Sequence, residues 1–491
     1  MKLDDRLPVI VGVGQYKQQL DDVTVAQEQY LLMEEAVRLA AEDAGCPALL
    51  NDIDRMLVIG GMWRYPDPGK LIANSVGSLH AETFLTAMGG NMPQACVSEV
   101  CERILANEMD VAVITGGEAV YSKNKLRKLG LDLDQTGHDL DPAKPFGENI
   151  SMSSEYEREC GFFMPTQIYA LFESAIRASL EESHEDHRNR IAYLWEGFNE
   201  VAVENPYAWV RSPMTATEIK TATPSNRMVG YPYTKSMNAN SFVDYGGAVI
   251  VCSVSKAQAL GIDRDKWVFP HSAADGHASY LFSERENFHQ SPAIRITGNR
   301  CLELSGVTID DIGPMDLYSC FPSCVQLTMT ELGISSDRMV TTTGGLPFFG
   351  GPMNSYVIHA IASTIDAIRE SGELGFVHAN GGYATKQACA VYGPTPPKDT
   401  FKRINVQSEI DAHPTREVNC SPDGEATIEA YTVMHGHEGP EYALITTLMA
   451  DGRRALSKTD DNTLMESMME EEYVGCRANV NPEGKVNVSS A

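Results

Sequence analysis

Basic residues, long apolar runs and the common cofactor motifs are what this chain has least of. Against 67 Asp plus Glu it carries 39 Lys plus Arg, a formal charge of −28 over 491 residues. Such acidity repels phosphate backbones and anionic bilayers, which argues against general nucleic-acid or membrane binding but leaves room for an anionic small ligand in a local basic pocket. No apolar run approaches the roughly 20 residues needed to cross a bilayer, and the opening MKLDDRLPVIVGVG is acidic where a secretory signal is basic. A complete P-loop, GxGxxG, GxSxG, HExxH and paired CxxC motifs are missing as well. The 11 cysteines are odd in number and scattered, so free thiols and a cytoplasmic location are expected.

What is present is an ordinary globular composition, 43% apolar, in a chain long enough for about three domains. Pro8 to Val13 reads as a buried strand ending in Gly12-Val13-Gly14. A helix from about Val25 to Ala44 follows, with Thr24 to Gln27 at capping-box spacing and Gly45 as its stop. A second apolar strand spans Met56 to Gly60, and the alternation predicts an α/β layer with a buried, largely parallel sheet.

One order of elements occurs twice. Gly89-Gly90-Asn91-Met92-Pro93 leads into a helix through Ala106, a strand Val111 to Thr115 and Gly116-Gly117. Gly350-Gly351-Pro352-Met353 leads into a helix through Ile368, a strand Gly375 to Ala379 and Gly381-Gly382. This predicts a duplication. Residues 120–243 lie between the first repeat and the strand Ala248 to Cys252, and read as an inserted loop domain. The N-terminal half is then 1–119 with 244–257, and the C-terminal half 258–395. Gly393 to Pro397 signals a linker, 396–404. Residues 405–491 are β-rich with sparse helical signal, which predicts a small β-barrel.

The glycine-rich turns, the insertion and the repeat resemble the thiolase superfamily over about residues 6–395, and the tail resembles the OB-like domain that the thiolase-like protein type 1 group adds. The resemblance implies a layered α-β-α-β-α fold with an inserted loop domain and a C-terminal OB-like barrel. It also locates a site. The nucleophilic cysteine position reads Asn91, and an amide cannot form the thioester that thiolase chemistry requires. Cys96 and Cys101 read as buried small hydrophobes. The Asn-Glu-Ala-Phe or His-Asp-Cys-Phe loop reads Tyr318-Ser319-Cys320-Phe321, Gly-His-Pro reads Gly350-Gly351-Pro352, and Cys-x-Gly reads Asn380-Gly381-Gly382. Ordinary Claisen condensation is therefore not expected, because loss of a nucleophile or an oxyanion donor costs about 10²- to 10⁴-fold in rate.

By the same resemblance, Asn91, Tyr318, Cys320, Gly351, Asn380 and Tyr383 line the pocket, and CoA or acyl-CoA is the ligand. Arg211, Lys220, Arg227 and Lys235, interleaved with Tyr231 and Tyr233, supply the expected CoA-phosphate contacts, with a solvated loop as the alternative. No metal site is expected. His271, Asp275 and His277 read as turn or surface residues, His184 and His187 as a solvated helix face, and His435 and His437 as hairpin flanks. Four functions stay open: an acyl-CoA-binding protein without thiolase activity; an acyl-CoA retro-aldolase or other carbon–carbon lyase, with Tyr318 and Tyr383 transferring protons and Lys386 tuning a phenol; a scaffold that docks a partner through its tail; and a conventional acetyl-CoA acetyltransferase. Monomer and homodimer both stay open.

Overall fold

The computed structural model describes residues 3–488. Its strands, in chain order, are β1 (Pro8–Lys17), β2 (Arg55–Val58), β3 (Glu82–Thr86), β4 (Val111–Ala119), β5 (Lys144–Phe146), β6 (Met228–Gly230), β7 (Tyr233–Thr234), β8 (Asp244–Ser253), β9 (Phe269–His277), β10 (Ile312–Leu317), β11 (Leu374–Gly381), β12 (Lys386–Gly393) and β13 (Lys402–Asn405). The tail adds β14 (Gly424–His435), β15 (Pro440–Met449), β16 (Arg454–Thr459), β17 (Arg477–Val480) and β18 (Val486–Val488).

The first sheet runs β1-β8-β4-β2-β3-β5 and the second β10-β11-β12-β9-β13. The predicted repeat is visible in their pairing. β1 and β8 are antiparallel, β8 and β4 antiparallel, β4 and β2 parallel. In the second sheet β9 and β12, β12 and β11, and β11 and β10 pair in the same three senses. The helices Met92–Leu105 and Tyr356–Ser371 touch each other and both sheets, while Gln29–Asp43 covers the outer face of the first sheet and Pro292–Ser305 that of the second. The result is the expected five layers. β4 and β8 are buried at every residue, as suits strands covered on both faces.

Some local expectations need correction. The first helix starts at Gln29, with Glu28 as its N-cap, and Val23–Val25 forms a separate short 3₁₀ turn capped by Asp22. Thr24 therefore caps nothing; the predicted capping box matched the spacing alone. Gly12 and Gly14 lie inside β1, not at its end, because a Cβ on either would strike the carbonyl oxygen of Ala40 or Ala36 in the covering helix. The segment read as linker holds β13, which pairs in parallel with β9 and makes 402–405 part of the core sheet. The insertion likewise lends β5 to the edge of β3.

In the tail, β16-β15-β14-β17-β18 form one sheet whose outer strands β16 and β18 also touch. It is not a free module. β6 of the insertion pairs with β14, and the helix Pro165–Ser179 packs against β14.

Candidate active site

The two halves meet where the turn 89–91 faces the end of β11. Asn91 is the N-cap of the helix Met92–Leu105, yet its side chain makes no capping bond, and its Oδ1 is buried without a partner. Its surroundings are fixed by close backbone approach. A Cβ on Gly89 would meet Asn91 Oδ1 at 2.5 Å and Lys386 Nζ at 2.8 Å. One on Gly381 would meet Asn91 Oδ1 at 2.7 Å and Lys386 Cε at 3.1 Å. A Cβ on Gly90 would strike the Asn380 carbonyl and lie 2.6 Å from Tyr318 Oη. Asn91, Tyr318, Asn380, the Gly381 turn and Lys386 therefore lie close together.

Lys386 stands at the start of β12, half-buried, and donates to Met88 O at 2.6 Å. Burial lowers its pKa. Its ammonium and the positive end of the helix Met92–Leu105 face the same small space, an arrangement that favours an electron-rich oxygen there.

Behind this surface lies a buried hydrogen-bond chain. Asn380 donates to Tyr169 Oη at 2.9 Å and to Cys324 Sγ at 3.7 Å, and accepts from Gln387 at 3.3 Å. Gln387 pairs with His378 at 2.8 Å. Tyr169 Oη donates to Gly382 O and accepts from Ala384 N, so it shapes the turn after β11. Burial raises the Tyr169 and Tyr318 pKa values well above the phenol range, with Cys320 and Cys324 adding to the effect. Contact with Cys320, then burial, raises that of Cys324, and burial pushes His378 down to about 4. The site thus holds protonated phenols, a protonated Cys324 thiol and a neutral imidazole: donors and spacers, with no activated nucleophile among them.

Two other expected members have different surroundings. Gly351 donates to Asn240 O, and a Cβ there would meet Leu346 at 3.1 Å, so an apolar side chain lies against the position of the missing histidine. Tyr383 donates to Phe163 O at 2.7 Å, and burial raises its pKa to about 12. Its hydroxyl is bound to the insertion, so the expected Tyr318–Tyr383 acid–base pair is not formed. Tyr169 and Gln387 carried no local signature and were missed.

The residues expected to hold CoA have different surroundings. Tyr233 is fully buried, bonded to Glu173, Ser323 and Tyr169 O, which removes it from any phosphate. Lys220 donates to Asn189 and Arg211 to Val203 O. Arg227 reaches His435 O in the tail at 3.2 Å, and Lys235, exposed, donates its backbone N–H to Arg227 O. Among the histidines, His187 is not solvated: it bridges Glu173 at 2.5 Å and Glu182 at 2.6 Å at zero exposure. His271 bonds Thr395 O, Asp275 pairs with Arg403, and His277 bonds Ala278 O.

Residues 405–485 match the family model described as the thiolase-like protein type 1 additional C-terminal domain. The crystal structure of a monomeric SCP2-thiolase-like protein type 1 from Mycobacterium smegmatis is 31% identical, with all of both chains covered and a TM-score of 0.84. An Ltp2-ChsH2(DUF35) aldolase is 18% identical over 79% of this chain and 98% of its own, with a TM-score of 0.61. The acetyl-CoA acetyltransferase from Syntrophomonas wolfei is 14% identical over 80% and 100%, with a TM-score of 0.56. The last two show the fold alone. No curated protein matches the chain.

Proposed function

The chain belongs to the SCP2-thiolase-like protein type 1 family, and from that premise we propose that it is a cytoplasmic acyl-CoA-binding protein that does not carry out the thiolase reaction. One observation carries the reading: at the nucleophile position stands Asn91, an amide that cannot attack, while the half-buried Lys386 ammonium and the start of a long helix offer donors to the same space. That surface suits a polar thioester and offers nothing to attack it. The thioester oxygen lies toward Lys386 and the turn 89–91. Lys235, exposed beside Arg227, is the cation best placed for the CoA phosphates. Eleven free thiols accord with a reducing compartment.

Calorimetric titration with acetyl-CoA should show saturable binding that weakens at least about tenfold in Lys386→Met. No heat with the wild type at millimolar ligand would sink the reading. Acetoacetyl-CoA thiolysis should be absent, and it should stay absent in Asn91→Cys, because the histidine and second cysteine positions read Gly351 and Asn380.

A lyase reading is supported by one separate observation, Tyr318 Oη beside the Gly90 backbone, where a hydroxyl would face the acyl group. It requires that a β-hydroxyacyl-CoA release an aldehyde or ketone with the protein, and that Tyr318→Phe end the release.

A further inference from the structure

A second cleft, of about 750 Å³, opens between the helices Pro165–Ser179, His184–Glu204 and Pro322–Leu332. Asn91, Tyr318, Asn380 and Lys386 are not among its lining residues, so it is separate from the thioester site. Its size falls in the range of small-molecule pockets, about 300–1,000 Å³. Ile176, Leu180, Leu194, Leu327, Met329 and Ile334 make its walls apolar, and Leu180 is 52% exposed there.

Polar side chains also line it, and they are unevenly paired. Arg190 and Glu182 pair with each other at 2.7 Å, so the rim offers no free charge to an ionic ligand. Gln326, 6% exposed, forms part of the wall. Its Nε2 donates to Glu173 at 2.6 Å, which fixes the amide and leaves Oε1 buried with no partner. A buried acceptor left unpaired is costly, and a donor from a ligand would remove that cost. His289 and the hydroxyls of Ser179, Tyr193, Thr330 and Ser336 complete the set; Ser179 donates to Ile176 O, and burial lowers the His289 pKa, so the imidazole there is neutral.

From the apolar walls, the self-neutralised rim and the orphaned acceptor, we propose that this cleft binds a neutral apolar molecule with one hydrogen-bond donor, an aliphatic or alicyclic alcohol. The hydroxyl donates to Gln326 Oε1 and the hydrocarbon lies against Leu327, Met329 and Ile334. Molecules with only acceptors, such as esters, leave Gln326 unpaired. Carboxylates bring a charge that nothing in the cleft neutralises.

The test compares 1-decanol with methyl decanoate by ligand-observed NMR on the full chain. The alcohol should bind at least about tenfold more tightly than the ester, the margin expected for satisfying one buried acceptor. Thr330→Trp fills the cleft from its exposed rim position and should abolish binding of both. Gln326→Met should bring the alcohol down to the ester's affinity; if that variant fails to fold, the wild-type ratio and Thr330→Trp decide. Equal affinity of the two probes for the wild type, no binding of the alcohol, or binding unchanged in Thr330→Trp would overturn the proposal.

Discussion

The nitrogen of an amide is delocalised into its carbonyl, so Asn91 can orient a ligand where a cysteine would attack it. Its neighbours make that orientation depend on Gly89, Gly90 and Gly381. At Gly90 any side chain would strike Asn380 O and crowd Tyr318 Oη, so Gly90→Ala should weaken acetyl-CoA binding at least about tenfold by calorimetry while the distant tail stays folded. Other buried groups act through pH. Burial holds His359 at about 3 and His378 at about 4, below the ordinary imidazole value. The unfolded chain then binds protons that the folded chain refuses. Stability is present above about pH 6.5 and falls as pH drops toward 4, by up to about 1.4 kcal/mol per unit for each histidine. Glu118 runs the other way: burial raises its carboxyl to about 7, so it contributes stability that is lost as pH rises from about 4.5 toward 7. Its Oε1 accepts from Met62 N–H and its Oε2 has no partner. Glu118→Gln should therefore gain about 2 kcal/mol relative to wild type on going from pH 5 to pH 8, read from urea midpoints. An equal difference at both pH values would mean that the carboxylate is not desolvated.

Elements that recur with their glycines were legible in the sequence because the signal is local: a turn, a helix period, an apolar strand, a second turn. Asn91, Tyr318 and Asn380, positions that the family resemblance singles out, each sit at or beside the end of such an element. What escaped notice depends on distant partners. Tyr169 meets Asn380 from a helix in the insertion, 211 residues away in sequence. Glu173 and His187 look like surface charges until Tyr233 and Gln326 bury them. β5 and β13 are three and four residues long, partly exposed, and pair only because a core edge is waiting for them. Those two short strands also shape association. β5 covers the outer edge of β3, and Pro145 within it removes one donor from the new edge. Lys144 anchors it to Glu82 at 2.7 Å. An edge capped in this way offers a poor surface for pairing with a second copy, so light scattering during size exclusion should report a monomer of about 53.7 kDa. A stable dimer that persists in Pro145→Val would place self-association elsewhere.

Across the whole molecule, the tail is held by charges that the core cannot leave unpaired. Arg454 in β16 is fully buried; it donates to Ser283 O and Arg285 O and pairs with Glu429 at 2.6 Å. Arg177 of the insertion, 1% exposed, depends on Tyr431 Oη at 2.8 Å and Glu472 at 3.0 Å, both in the tail. Tyr231 N–H donates to Val433 O where β6 joins the β14 sheet. Removing residues 405–491 would strand Arg177 without a counter-charge and uncover the face of the helix Pro165–Ser179 that packs on β14. A buried charge that loses its partner costs about 3–5 kcal/mol, a large share of a domain's stability. The truncated chain is therefore expected to aggregate, whereas the full chain should unfold in one calorimetric transition and Arg454→Met should lower that single transition without splitting it. A soluble 1–404 fragment with the full chain's melting temperature would instead make the tail a detachable module, and the scaffold reading would then gain the free β14 face that this structure gives to the insertion.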